Sequence, residues 1–508
     1  MDLTPIARAI LAPKSRKTDR WSSPDTVREI QTGVLRRLLR ESRDTEMGRR
    51  HDFASMLEAD DTVEAFRRGV EMRDYEDIRE DVMRMVDGER DVLWPGRCLN
   101  FAQSSGTSGG RSKYIPITDT SLSRCHYPGA AYSVAHYLRR NPDSRLFSGK
   151  GFILGGSFAS QLSPKDRRVK VGDLSATLID RINPFAGLFR IPSKQTALMA
   201  DWEEKLPALV EASCRANVTN ISGVPSWFLT VIKEVMKKRG VEKISDAWPN
   251  LEVFFHGGIS FKPYREIYEG LTDPERMHFM ETYNASEGFF AAQDLLESKG
   301  MMLIIDNDVF YEFLDIADPE AAPVAAWEVE QGKVYEMLIS SSNGLWRYRL
   351  GDTVRIETVN PVRISVAGRT KCFINAFGEE LMEDNAEKGI AEASRLTGAR
   401  VANYTAAPVF ADNRHKGRHQ WLIEWETPPR DVEEFAKILD SELRKINSDY
   451  DAKRTQSIFL DGPEIVSLPR GTFDRWLASV GNQKLGGQRK VPRLSNDRKI
   501  ADAVLSLQ

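Results

Sequence analysis

The sequence contains few cysteines, and they lie far apart. Of its 508 residues four are cysteine, and no two of them form a CxxC pair. They are Cys98, Cys125, Cys214 and Cys372. A zinc site or a disulfide framework needs closely spaced or numerous cysteines. The pattern therefore argues against both and fits a reducing cytoplasm.

Long apolar runs and a strong net charge are missing as well. No stretch reaches the roughly 18 apolar residues of a membrane span, and the N-terminal segment has only a broken apolar stretch. The formal net charge of -3 argues against a surface that binds nucleic acid in general. We therefore expect a cytoplasmic protein with neither membrane nor nucleic acid as a partner. Its content of 41% hydrophobic and 29% charged residues is typical of a folded globular chain.

The chain is long enough for two to four domains. Apolar spacing predicts a helix over residues 26–42 and one helical region over residues 62–86. Between residues 150 and 290 strands and helices alternate, which predicts a largely parallel sheet covered by helices on both faces. Residues 301–366 have the rhythm of a meander, including a strand over residues 354–357, and a smaller α+β unit follows.

The stretch FAQSSGTSGGRSKYIP, residues 101–116, has the composition of a phosphate-binding loop. Its glycines permit tight turns that bring backbone N–H groups close to an anion. Its hydroxyl groups and Lys113 add donors and a positive charge. It is not a Walker loop, because Lys113 precedes a strand-like segment and not a helix. A surface loop rich in Ser and Gly is the alternative interpretation.

Two further loops follow predicted strands. Residues 251–256 form a buried type of strand that ends in Gly257-Gly258, and residues 277–281 lead into TYNASEG, residues 282–288. In open α/β sheets ligands bind beyond the carboxyl ends of the strands. We therefore expect these two loops to converge with the phosphate-binding loop.

Together these stretches resemble the Gretchen Hagen family of acyl-acid amido synthetases, in a bacterial form, within the adenylate-forming ligase superfamily. Five marks occur in the family's order, and the resemblance extends from about residue 49 to the end of the chain. The marks are SSGTSGGRSK (104–113), YNASEG (283–288), WRYRLGD (346–352), GRTKCFINAFGEEL (368–381) and GQRKVPR (487–493).

The resemblance implies an α/β fold with a large N-terminal adenylate-forming domain, residues 1–370, whose mixed sheets are flanked by helices. A smaller, mobile α+β C-terminal domain, residues 371–508, would carry the catalytic lysine, Lys490. ATP and Mg²⁺ are the implied cofactors, with Glu287 as the metal ligand. The implied phosphate-binding residues are Ser104, Ser105, Gly106, Thr107, Ser108, Lys113 and Ser286. The implied adenine- and ribose-binding residues are Gly257, Gly258, Tyr283, Asp352 and Arg369.

Three of these residues also have an ordinary structural interpretation. Glu287 is a candidate for a carboxylate at a helix N-terminus, Asp352 for a turn residue, and Lys490 for one cation of a solvated basic loop. The chain also departs from the family's plant members, because Asn284 stands where they more often have a second serine. The plant acid-pocket pattern is not traceable here, so the sequence leaves the acid and the amine open.

The resulting prediction is an enzyme, an acid–amino acid ligase. It would adenylate a small carboxylic acid with ATP and pass the acyl group to an amine, expected to be an amino acid, releasing AMP and pyrophosphate. Two alternatives remain open at this point. One is an acyl-CoA ligase of the same superfamily, and the other is a non-catalytic homologue that binds a small molecule or nucleotide.

Overall fold

The computed structural model describes residues 2–104, 113–160, 162, 164–261, 264–318, 320–369, 373–410, 416–455, 460–479 and 491–507, without the side chains of residues 368, 369, 384 and 478. The described chain divides into two compact units, with the division between residues 370 and 371. A broad sheet and its helices form the first unit. The second is a smaller α+β unit.

The helices of the first unit, named α1 to α15, are Thr4–Lys17, Pro24–Ser42, Glu46–Arg50, Phe53–Glu58, Thr62–Gly69, Tyr75–Val86, Asp119–Ser121, Tyr127–Arg140, Leu174–Asp180, Pro184–Gly187, Lys194–Ala197, Trp202–Cys214, Pro225–Arg239, Ile244–Ala247 and Arg265–Leu271. Its strands, β1 to β15, are Asn100–Ser104, Lys113–Pro116, Lys150–Ile153, Lys170–Gly172, Arg190–Ile191, Val218–Gly223, Val253–His256, His278–Ala285, Gly288–Ala292, Met301–Leu303, Val309–Asp315, Val324–Ala325, Val334–Ser341, Leu345–Val359 and Val362–Arg369. A π-helical turn, Leu122–His126, joins α7 to α8, and 3₁₀ turns lie at Thr18–Ser22 and Leu146–Ser148.

The large sheet is mixed: the part built from residues 150–285 is parallel, as the alternation of strands and helices predicts, and the rest is antiparallel. Its order is β12-β11-β13-β14-β15-β10-β9-β8-β7-β6-β3-β5. The segment β5-β3-β6-β7-β8 is parallel. From β8 onward all pairs are antiparallel, because β8 folds straight back into β9 as a hairpin. A separate small sheet has the order β2-β1-β4.

The N-terminal helices pack on the antiparallel part of this sheet. The predicted helix over residues 26–42 is α2, which starts with Pro24 in its first turn and buries Leu35, Leu38 and Leu39. The helical region predicted over residues 62–86 forms between the predicted bounds, but as two helices, α5 and α6. The chain is extended at Val70, and Asp74 begins α6 with a capping box to Asp77. Helix α1 was not predicted from the sequence.

The second unit contains α16 to α20, Glu383–Thr397, Val432–Ile446, Ser448–Arg454, Thr472–Ser479 and Lys499–Leu505. Its strands β16 to β20 are Phe373–Ile374, Leu381–Met382, Arg400–Val409, Arg418–Thr427 and Glu464–Leu468. Strand β19 is central, antiparallel to β18 and parallel to β20. Helix α17 buries Leu439 and Leu443 in the same core as Trp421, and α16 contributes Ile390 to it. No described helix of either unit is both long and apolar enough to span a membrane.

Candidate active site

The carboxyl end of β7 leads into a glycine pair that lies against β8. A Cβ atom on Gly257 would stand 2.4 Å from the backbone oxygen of Thr282, so a larger residue here requires the backbone to move. Gly258 has φ = 82°, in the left-handed region that favours glycine. The hydroxyl of Thr282 donates to the carbonyl of His256 at 3.1 Å and ties the two strand ends together.

The predicted loop over residues 282–288 is a tight hairpin between β8 and β9. Ala285 pairs with Gly288, which leaves Ser286 and Glu287 as the two residues of the turn. The interpretation of Glu287 as a charge at a helix N-terminus is wrong, since a strand follows it. Glu287 is 9% exposed, and the side-chain amide of Asn343 donates to its backbone carbonyl at 2.9 Å.

Tyr283 of β8 and Asp352 of β14 meet directly. The Tyr283 hydroxyl donates to Asp352 Oδ2 at 2.7 Å, and both residues are buried. A bulge in β14 places the carboxylate there. Pairing runs from Glu336–Thr353 to Leu338–Arg349, so three residues of β14 lie opposite one of β13.

The strand predicted over residues 354–357 is therefore one part of the 15-residue strand β14. Its bulge holds Leu350, Gly351 and Asp352, and Gly351 has φ = 82°. The interpretation of Asp352 as a turn residue is wrong, since it lies within this strand. Asp352 also pairs with Arg369 of β15 across the backbone ladder, which brings the two residues to adjacent positions.

Strands β1 and β2 flank the predicted phosphate-binding loop. Ser104 and Lys113 are paired in the antiparallel ladder, so the chain leaves and re-enters the sheet at one place. Lys113 is 8% exposed, its Nζ lies 3.5 Å from the hydroxyl oxygen of Tyr348, and it lies 5.8 Å from the ring centre of Tyr75. The Tyr75 hydroxyl accepts a hydrogen bond from the Tyr114 amide at 2.7 Å, which fixes β2 against α6.

Several predicted site residues lie outside the described residues. These are Ser105, Gly106, Thr107, Ser108 and Lys490. Their predicted roles stay predictions. The structure thus brings together Tyr283, Asp352 and the Arg369 backbone. It places Glu287 at the adjacent hairpin and Lys113 beside the same strand β14.

Sequence reasoning missed three residues that shape this region. Tyr348 belongs to the WRYRLGD mark but was assigned no role, and Asn343 comes just before that mark. Glu281 lies in β8 opposite His256 of β7. Burial raises the pKa of the Glu281 carboxyl, and nearby Arg265 opposes that shift. A charged residue in an apolar strand was the one available signal for Glu281.

His256 lies next to the glycine pair, yet its ring is packed and not poised for proton transfer. The ring stacks on Phe261 with 4.1 Å between centres and is 3% exposed. Burial, together with a smaller contribution from the charge of Arg265, lowers the pKa of His256 to about 3. The imidazole is therefore neutral at neutral pH.

Three domains of one family match the chain in order. The GH3 family N-terminal domain matches residues 23–277, the GH3 family central domain residues 302–369 and the GH3 family C-terminal domain residues 384–499. The chain belongs to the GH3 family. This is the Gretchen Hagen family, so the family predicted from the sequence is confirmed; that the chain is a bacterial form stays a prediction.

This chain is similar along nearly its whole length to GH3 proteins of known sequence and structure. Indole-3-acetic acid-amido synthetase GH3.4 of Arabidopsis thaliana is 24% identical over 93% of this chain and 89% of its own. The structure of AtGH3.15 acyl acid amido synthetase in complex with 2,4-DB has a TM-score of 0.59 at 20% identity, covering 94% and 93% of the two chains. A 2-hydroxyisobutyryl-CoA ligase shares the fold with a TM-score of 0.53 at 12% identity, covering 95% and 92%.

GH3 membership confirms two further predictions. One is the α/β fold class, with a large adenylate-forming part and a smaller α+β C-terminal part. The other is the enzyme class, an adenylate-forming ligase that joins an acid to an amine.

Proposed function

We propose that this GH3 chain uses ATP and Mg²⁺ to activate a small carboxylic acid and then transfers the acyl group to an amino acid. In the first step the carboxylate attacks the α-phosphorus, which gives an acyl-adenylate and pyrophosphate. In the second step the amine attacks the acyl carbon, which gives an amide and AMP. The observation that carries the proposal is the buried pair of Tyr283 and Asp352 beside the hairpin that presents Glu287.

The Tyr283–Asp352 pair is suited to hold a nucleoside. A ribose offers two neighbouring hydroxyl donors, and a carboxylate accepts both. The Tyr283 hydroxyl occupies Asp352 Oδ2 and thereby orients the carboxylate, while the tyrosine ring offers a face for the adenine. The backbone at Gly257 and Gly258 completes this adenine site in our proposal, because glycine lets a flat base approach closely. Arg369, which pairs with Asp352 in the backbone ladder, would belong to the same ribose site.

The phosphate groups would lie toward Lys113 and the β8–β9 turn. Two anions must meet in the first step, so positioning and charge neutralisation supply most of the catalysis. The buried ammonium of Lys113 stands where β1 and β2 frame the serine- and glycine-rich loop. Ser286 in the hairpin turn would donate to the α-phosphate. Ser104, at the end of β1, would contribute its hydroxyl with the loop that follows.

Glu287 fits the role of a Mg²⁺ ligand. Mg²⁺ is held by one or two carboxylates together with phosphate oxygens and water, and it needs no cage of protein ligands. Within the described residues no group of three or more His, Cys, Asp or Glu is placed to hold a metal. A single buried carboxylate in a fixed turn matches that mode of binding, since Asn343 holds the Glu287 backbone. When bound, the ion would neutralise phosphate charge.

Lys490 would act mainly in the first step. A compact ammonium can bridge an oxygen of the acid and an oxygen of the α-phosphate, whereas a planar guanidinium suits bidentate contacts. We propose that residues 1–370 bind ATP and the acid, and that residues 371–508 deliver this lysine. The smaller domain would rotate near residues 371–375 between the two half-reactions.

The relatives' names guide the choice of substrates to test. Indole-3-acetic acid-amido synthetases act on that acid, and 2,4-DB is bound to the GH3.15 synthetase. We propose a small aryl or aliphatic acid and an amino acid for this chain. Asn284, in the β8–β9 hairpin, would contribute to the acid's or the nucleotide's surroundings.

The test is pyrophosphate release from ATP and Mg²⁺ over a panel of aryl and aliphatic acids. Each acid is offered with amino acids and, separately, with coenzyme A, and products are identified by mass spectrometry. An acid-dependent release with an amide product in the amino-acid arm supports the proposal. A thioester product would assign the chain to the acyl-CoA ligases. A thermal shift with ATP but no turnover for any acid would support a non-catalytic binding protein.

A further inference from the structure

A charged cavity lies between the N-terminal helices and the turn that joins β10 to β11. It has a volume of about 420 Å³, within the range of roughly 300–1,000 Å³ that is typical of small-molecule sites. Four cationic and two carboxylate side chains line it, together with Ser123 and Pro128. The charged residues are Lys14, Lys17, Arg37, Arg124, Asp306 and Asp308.

The two carboxylates are already engaged with protein groups. Asp306 accepts hydrogen bonds from the Tyr132 hydroxyl at 2.9 and 2.8 Å and pairs with Lys17. Asp308 accepts a hydrogen bond from Arg37 Nε at 2.8 Å, and Arg124 lies 3.6 Å from its other oxygen. The Asp308 side chain is 1% exposed. The two carboxylates form the floor of the cavity and pair with its cations; Asp308 is buried there, whereas the Asp306 side chain is 21% exposed.

Three of the cations, in contrast, are more exposed than the carboxylates. Two of them, Arg37 and Arg124, have N–H donors that no described residue accepts. The side chains of Lys17, Arg37 and Arg124 are 48%, 37% and 45% exposed. Arg124 also pairs with Glu41 at 2.6 Å, through the same nitrogen that approaches Asp308. Its Nε and Nη2, and the Nη1 of Arg37, have no acceptor among the residues that the structure describes.

Lys14 lacks an ion-pair partner among the described residues. Its Nζ rests on the ring of Tyr132, 3.8 Å from the ring centre. Burial lowers the pKa of Lys14 to about 8; Asp306 opposes this shift and Lys17 adds to it. An anion in the cavity would stabilise the charged form of this amine.

We propose that this cavity is a binding site for a compact phosphate-bearing anion, separate from the candidate active site. Guanidinium and ammonium donors arranged around a common opening are the groups that recognise phosphate oxygens. Arg37 and Arg124, which carry the unused donors, are more exposed than the two aspartates that line the same cavity. Three ligands share this chemistry, namely pyrophosphate, orthophosphate and a nucleoside monophosphate, and the test distinguishes them.

Hydrogen bonds to Phe289 link the site to the hairpin of Glu287. Asn307, between the two floor aspartates, donates its side-chain amide to the carbonyl of Phe289 in β9, two residues after Glu287. The thiol of Cys125, one residue after Arg124, accepts a hydrogen bond from the Phe289 amide at 3.3 Å. The floor and one wall of the cavity are thus fastened to β9.

The test measures binding by calorimetry, without added Mg²⁺ and with the active site filled by a non-hydrolysable acyl-adenylate mimic. The probes are inorganic pyrophosphate, orthophosphate and AMP. The variants are Lys14→Met, which keeps the apolar stem over Tyr132, and Arg124→Gln. Lys165→Met is the matched control, because it removes one charge at a distant lysine whose side chain is 78% exposed.

We expect at least one probe to bind the wild-type chain with one equivalent. Loss of a charge-assisted hydrogen bond should weaken that binding about tenfold in Lys14→Met and in Arg124→Gln, but leave Lys165→Met unchanged. The probe that binds most tightly identifies the source of the phosphate group. Absence of binding to the wild type overturns the proposal, as does an equal weakening in the control.

Discussion

Changing Tyr283 to phenylalanine separates the two roles that we assign to this residue, which are to orient Asp352 and to stack on the adenine. The hydroxyl that donates to Asp352 is lost, whereas the ring that would lie on the adenine stays. Tyr283 is 7% exposed and its ring lies 5.1 Å from that of Phe290, so the fold keeps its packing. The variant therefore tests whether orientation of Asp352 contributes to ATP binding.

The magnitude follows from the geometry of this hydrogen bond. A buried hydrogen bond to a charged group contributes about 1.5–3 kcal/mol, which corresponds to a factor of roughly 10–150 in an equilibrium constant. Asp352 keeps its place in the ladder with β15, and water can take over part of the lost contact. We therefore expect the KM for ATP to rise about tenfold, at the lower end of that range.

The assay is ATP–pyrophosphate exchange as a function of ATP concentration, with the best acid held at saturation. Tyr335→Phe is the matched control, because that buried hydroxyl accepts a backbone hydrogen bond, from Glu330, at a distance from the site. Asp352→Asn and the double variant complete a cycle, whose effects should be less than additive because both changes remove the same contact. An unchanged KM for ATP in Tyr283→Phe, or strictly additive effects, would refute the assignment of this pair to the nucleotide.

Four further changes test other parts of the molecule. Glu287→Gln should raise the Mg²⁺ concentration needed for half-maximal exchange, since it removes a carboxylate ligand; an unchanged Mg²⁺ titration speaks against the metal role. Lys490→Ala should abolish adenylate formation while ATP still binds, as measured by exchange and by calorimetry; near-normal pyrophosphate release would contradict the role of Lys490 as the catalytic lysine. Gly257→Ala should weaken ATP binding, because the new Cβ atom would stand 2.4 Å from a backbone oxygen of β8, and normal ATP binding by calorimetry would contradict this. Arg347→Met should lower the free energy of unfolding by about 3 kcal/mol in denaturant titrations, because the buried Glu312 loses its bidentate partner and keeps only the ion pair with Arg67 at 3.4 Å; a loss below about 1 kcal/mol would contradict this expectation.

Local sequence patterns predicted elements best where one stretch of chain decides the outcome. The helix predicted over residues 26–42 forms as α2, Pro24–Ser42, and ends at the predicted residue. Strand β7, which precedes Gly257-Gly258, and the start of β8, which leads into TYNASEG, were also predicted. In each of these elements the local composition and the spacing of apolar residues favour the same element that the structure contains.

The pairing of distant strands was beyond the reach of local patterns. The hairpin at Ser286–Glu287 lacks the usual turn residues, so the segment was predicted as a loop. The contact between Tyr283 and Asp352 joins residues 69 positions apart. It exists because β8 and β14 both belong to the one broad sheet and because a bulge in β14 displaces Asp352.

Within the WRYRLGD mark some residues stabilise the fold and others belong to the candidate active site. Arg347 forms a buried bidentate pair with Glu312 and donates to the backbone carbonyls of Arg67 and Val70. It thereby fastens the end of α5 to the sheet.

One residue further along, the Tyr348 hydroxyl lies near the ammonium of Lys113, and after the bulge Asp352 reaches Tyr283. A period-two pattern cannot assign these roles, because irregular pairing opposite Ser340 and again opposite Met337 changes which residues face each side of β14. The residues that fasten the helices to the sheet and those that form the site are therefore neighbours in sequence, and a change to Arg347 should alter stability before it alters ATP binding.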